Sequence, residues 1–168
     1  MWQDGTRLFE QAHQRILTSA WFRPPWLCSC GPWPSEAATT AVVLKLSKPR
    51  WSSPEGNQSS GLFFSVWIDE SSLRKERLRY NVHALKLRNL PDYRLESRKF
   101  AAAFRTAFAS HATNWPNVST DFGPQTLFEG FCESPLDQWP TAIVSLCERF
   151  LPLGDLIDEL LASSRKQA

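Results

Sequence analysis

GLFFSVWIDESSLRKERLRYNVHALKLR, residues 61–88, is the stretch whose reading decides the fold. Its first part, Leu62 to Ile68, is apolar except for Ser65, as a strand buried on both sides requires. A short charged connection follows, and then the pattern alternates. At period two, Leu78, Tyr80 and Val82 take one face and Arg79, Asn81 and His83 the other. The stretch therefore predicts two adjoining strands, the second with basic and polar side chains gathered on one side. The alternation breaks near Ala84 and Leu85. A bulge there would keep Lys86 and Arg88 on the side of His83, and a bend into a loop would release them.

Upstream, apolar residues at Leu8, Phe9, Ala12, Ile16, Leu17, Ala20 and Trp21 form one helical stripe over residues 4–22, which Pro24 and Pro25 end. Residues 23–38 are rich in Pro and Trp and read as irregular chain. Thr39 to Ser47 reads as the first strand of a mainly antiparallel three-stranded sheet. It is joined to Leu62–Asp69 by a polar loop over residues 52–61. The third strand runs from Leu78 to Leu87. Downstream, Ser97 is the expected N-cap of a helix whose stripe is Phe100, Phe104 and Phe108, with Ala103 and Ala107 placed to let it lie close on the sheet. Residues 125–133 make a fourth, weaker strand. Two helical pieces close the chain, one through Ile143, Leu146, Cys147 and Phe150, the other through Leu156 to Leu161. The fold class is α+β in the order α-β-β-β-α-β-α. At 168 residues the chain is read as one domain.

Composition narrows the function classes. The apolar fraction of 42% and charged fraction of 21% are those of a globular protein. Net charge is only +2, so the whole chain lacks the strong basic excess of a dedicated nucleic-acid domain. The charge is uneven, however: cations dominate from Arg74 to Arg105, and acids from Asp121 to Glu159. Eight Trp and eleven Phe supply a rich core and leave some indoles for binding. No stretch reaches the ~18 apolar residues of a membrane span, and the first residues carry charges of both signs, so a cytoplasmic location without membrane contact is expected. Cys28 and Cys30 form a C-x-C without a second knuckle, which predicts no zinc site. His13 and His111 fall on or beside helical stripes and read as packing residues.

Signatures for catalysis are missing. The chain contains no G-x-S-x-G, no H-E-x-x-H, and neither a G-x-x-x-x-G-K-[ST] nor a G-x-G-x-x-G phosphate loop. No cofactor is implied. What remains is the polar face of the sheet, where Trp67, Arg79, Asn81, His83, Lys86 and Arg88 are the candidate ligand-binding residues. Cations beside an aromatic can hold an anion or stack a base. The expected function is that of a binding or accessory protein for an anionic ligand such as nucleic acid. A structural subunit of an assembly, meeting a protein partner through Trp26 and Trp33, is a further reading.

The order helix, three strands, helix, strand resembles the core of the PD-(D/E)XK nuclease family over residues 4–133, in topology. That resemblance implies an acid on the second strand and an acid-X-Lys on the third, together holding a divalent metal beside the scissile phosphate. Asp69 matches the first acid and Lys86 the lysine, but Ala84 stands where the second acid belongs. A nuclease-like enzyme using Asp69, His83 and Lys86 is the alternative function.

Overall fold

The computed structural model describes residues 2–33, 41–53 and 60–166. The end of the Pro/Trp-rich segment, the first two residues of the expected first strand and most of the polar loop lie outside the described residues. Five strands, β1 (Leu27–Pro32), β2 (Ala41–Ser47), β3 (Gly61–Asp69), β4 (Arg77–Leu85) and β5 (Thr126–Glu133), form one antiparallel sheet in the order of the chain. The expected sheet had three strands with a fourth unplaced; the structure adds β1 at one edge and pairs β5 to β4 at the other. β1 falls inside the segment read as irregular. An edge strand has one neighbour only, so Gly31 and Pro32 at its end remove little from the ladder.

Period-two geometry gives the sheet two unlike faces. Val42, Leu44 and Leu46 of β2, Leu62, Phe64, Val66 and Ile68 of β3, and Leu78, Tyr80, Val82 and Ala84 of β4 are all buried in the apolar core. Three helices pack on that face: α1 (Trp2–Leu17), α3 (Ser97–Phe108) and α4 (Trp139–Ala162). α1 lies against α4, β1 and β2, whereas α3 lies against α4 and β5. Aromatic stacking marks the contacts. Phe64 and Phe150 of α4 stand 4.5 Å apart and nearly parallel, and Phe108 stacks on Phe128 of β5 at 4.7 Å. β3, in the middle, is buried on both sides along nearly its whole length, as its sequence predicted.

Several local expectations are corrected. Glu96, not Ser97, is the N-cap of α3, and no side chain caps it. Ala103 is exposed and Ala107 half-buried, so the close approach of α3 is made by Phe100, Ala101, Phe104 and Phe108 instead. The two closing helical pieces are one helix that runs through Pro152, with one backbone hydrogen bond fewer. Gly154 gives that helix a flat spot: a Cβ there would come within 2.4 Å of the Trp26 ring. Trp26 in turn meets Trp51 edge-on at 5.5 Å. Asp158 of α4 accepts from Trp51 Nε1 at 2.8 Å and from Lys48 Nζ at 2.5 Å, fastening the end of β2 to the helix layer. Among the described residues no helix is long and apolar enough to cross a membrane.

Candidate functional site

Among the described residues no long helix packs on the second face of the sheet. Two rows of side chains cross it from β1 to β5: Ser29, Lys45, Ser65, Asn81 and Glu129 in one, Gly31, Val43, Trp67, Arg79 and Phe131 in the next. Between them lies a groove of about 420 Å³. Trp33 and Trp67 stand at its sides, and Ser65, Asn81, His83 and Glu129 supply the polar part of its lining. The Ser65 hydroxyl donates to Asn81 Oδ1, and both side chains are buried. Trp67 Nε1 is buried too, and among the described residues it has no hydrogen-bond partner. An indole N–H left bare inside the protein is unusual, because buried donors nearly always find an acceptor.

The cations of the face are engaged with rings and carboxylates. The Arg79 guanidinium lies 4.4 Å above the Trp67 ring and 3.2 Å from Glu129. Arg77 repeats the arrangement one step along, 4.4 Å over Phe131 and 3.0 Å from Glu133. Lys45 Nζ sits 4.4 Å from the centre of Trp33 and 4.5 Å from that of Phe63; burial pulls its ammonium below the usual lysine value. The His83 ring lies 5.2 Å from Phe63 and 6.5 Å from Trp33. Burial lowers its affinity for a proton, and the Lys45 charge adds to this while a bond to the Gln125 backbone works against it.

On the far side of the Arg79–Glu129 pair a second hollow of about 390 Å³ opens over β4 and β5. Lys75, Arg77, Arg79 and the serines 71, 72 and 119 line it, and Glu129 belongs to the walls of both hollows. Lys75 is exposed at the end of the short helix α2 (Glu70–Arg74). Among the described residues it makes no ion pair.

Of the residues the sequence singled out, Trp67, Arg79, Asn81 and His83 are brought together. Lys86 and Arg88 are not among them. β4 ends at Leu85; Lys86 turns left-handed, with φ of 48°, into the 3-10 turn Leu87–Asn89, and both cations are exposed beyond the end of the strand. The bend into a loop is therefore the correct reading of the broken alternation. The one irregularity in β4 lies at Val82/His83, in its pairing with β5.

The residues of the nuclease alternative are spread apart. His83 is paired with Phe63 at one end of β3 and Asp69 is at the other, ~20 Å along the strand at about 3.3 Å per residue. Asp69 Oδ1 accepts from Ser72 N at 2.8 Å and from Ser72 Oγ at 2.6 Å as the cap of α2. Burial would raise its carboxyl, but these bonds and the Arg79 charge hold it below the usual range. Ala84 is fully buried on the core face. Among the described residues no three His, Cys, Asp or Glu side chains are gathered as for a metal ion. Trp26 and Trp33 lie on opposite sides of the sheet, one against Phe150 and the other against Phe63, and do not form one patch.

Sequence reasoning missed Trp33, Glu129, Lys75 and Arg77 as parts of this face. Trp33 follows a strand that prolines had hidden. Glu129 carried a usable pattern, since Phe128, Gly130 and Cys132 alternate with Glu129, Phe131 and Glu133. The fold and the face define an α+β protein with an antiparallel meander, helices on one side and an aromatic-polar groove on the other. No family model, no curated protein and no solved structure matches the chain.

Proposed function

We propose that the chain is a binding or accessory protein without catalytic activity. It takes an anionic ligand on the open face of its sheet, nucleic acid first among such ligands. The groove lined by Trp33 and Trp67 is the observation that carries this reading. Indole faces accept bases of any sequence, at roughly 1–3 kcal/mol per stacked base. The electrostatic part is smaller. Arg79 and Arg77 already face carboxylates, and the net charge is only +2, so phosphate attraction is expected from the exposed cations Lys75, Lys86 and Arg88 and from Arg77, whose ion pair is itself exposed.

Titration of labelled single-stranded and duplex oligonucleotides at two salt concentrations tests the reading. Binding is expected to be weak, to favour single strands and to fall as salt rises, because phosphate contacts release counterions. Trp67→Ala should weaken single strands more than duplex. Lys86→Ala with Arg88→Ala should lower both affinity and salt slope. Absence of binding at low salt, or binding that Trp67→Ala leaves unchanged, would overturn the proposal.

A further inference from the structure

The two hollows on the open face are chemically different and share a wall. The first is walled by indoles and has a hydrogen-bonding floor; the second holds three cations and several hydroxyls around Glu129. Arg79 stands between them, directly across from Trp67 in the β3–β4 register and from Phe131 in the β4–β5 register. Strands lie about 4.8 Å apart, so the distance from β3 to β5 is ~10 Å. That span is comparable to the length of one nucleotide.

Resting on the binding reading above, we infer that the face recognises a single nucleotide unit, its base held in the indole hollow and its phosphate in the basic one. The two ion pairs between the hollows differ in a way that suits this. Glu133 is exposed, with 66% of its side chain in solvent, and its bond to Arg77 is an exposed ion pair. Such pairs contribute little, so a phosphate can take Arg77 from it at small cost. Glu129 is sheltered, at 20%. It keeps Arg79 in place over Trp67, and the indole on which a base stacks stays clamped from its other side. Lys75 completes the phosphate site as an exposed cation that no carboxylate among the described residues holds.

Equilibrium binding of adenosine 5′-monophosphate, adenosine and inorganic phosphate to the whole chain separates the two halves of the site. The monophosphate is expected to bind about tenfold more tightly than adenosine at low salt, as one or two charge-assisted hydrogen bonds would give. Lys75→Ala with Arg77→Gln should bring the two to within about twofold, with adenosine binding itself unchanged. Trp33→Ala should weaken adenosine and the monophosphate by the same factor. Thermal melting confirms that each variant is folded, and Lys75→Ala alone, at an exposed position, repeats the test if the double variant is not. Equal affinity for adenosine and its monophosphate, or a preference that survives the loss of Lys75 and Arg77, would overturn this inference. Should oligonucleotides still bind through Trp67 in that case, the broader reading stands. If neither nucleotides nor oligonucleotides bind, both fall.

Discussion

The two faces of the sheet are made by the same strands, residue by alternate residue, and they have opposite chemistry. On the helix side Leu46, Phe64, Val82 and Phe128 follow one another across four strands, all fully buried. On the open side the corresponding rows hold Lys45, Ser65, Asn81 and Glu129, and Val43, Trp67, Arg79 and Phe131. The first face is held by apolar area and ring stacking, which need no particular partner. The second is held by pairs: Ser65 with Asn81, Arg79 with Trp67 and Glu129, Lys45 with Trp33 and Phe63. One face thus secures the fold, and the other is free to be specific.

That contrast can be broken at its strongest point first. Phe104→Ala, at a fully buried side chain packed on Phe108 and Phe128, should cost on the order of 3–5 kcal/mol in chemical denaturation. Retention of full stability would show that the helix face is not the source of the fold's strength. A smaller effect is expected on the open face. Asn81→Ala leaves the buried Ser65 hydroxyl without its acceptor and should cost about 1–3 kcal/mol. Ser65→Ala in the same chain should then recover part of the loss, and a double-mutant cycle reads the coupling directly. If the two substitutions simply add, the pair is not what holds that face.

The smallest effect concerns protons. The native imidazole of His83 binds a proton less readily than in the unfolded chain. Above about pH 6.5 both forms are neutral and stability is unaffected; below it the unfolded chain takes up a proton that the native one resists. Stability should therefore fall as pH drops from 6.5 towards the lower native value. His83→Gln should flatten that part of the profile, measured by thermal melting across pH. An unchanged slope would place the acid sensitivity elsewhere.

Much of the helix face was legible in the sequence, because burial against a layer of helices imposes a strict period. Leu78, Tyr80 and Val82 declare it in β4, and Phe100, Phe104 and Phe108 in α3. The open face was legible only where it shares a strand with such a pattern, which is why Arg79, Asn81 and His83 were found. Lys86 and Arg88 were misplaced because a left-handed residue ends the strand, and lysine at φ of 48° leaves no mark in composition. Trp33 and β1 were hidden by prolines that an edge strand tolerates. Glu129 needed a fact that no local pattern contains: β5, far along the chain, pairs with β4. Strand adjacency is set by the whole core, and the groove is assembled from four strands and one residue beyond a fifth.

The meander also has a timetable. As the chain is synthesised, each of β2, β3 and β4 can pair with the strand made just before it, so most of the sheet can form early. Phe64, by contrast, waits for Phe150, and α1 waits for α4, the last helix among the described residues. Until then a nascent chain would carry a nearly finished sheet with one side wet and the other greasy. A transiently uncovered apolar sheet of this kind is prone to self-association. The growing polypeptide is accordingly expected to run that risk most just before α4 appears.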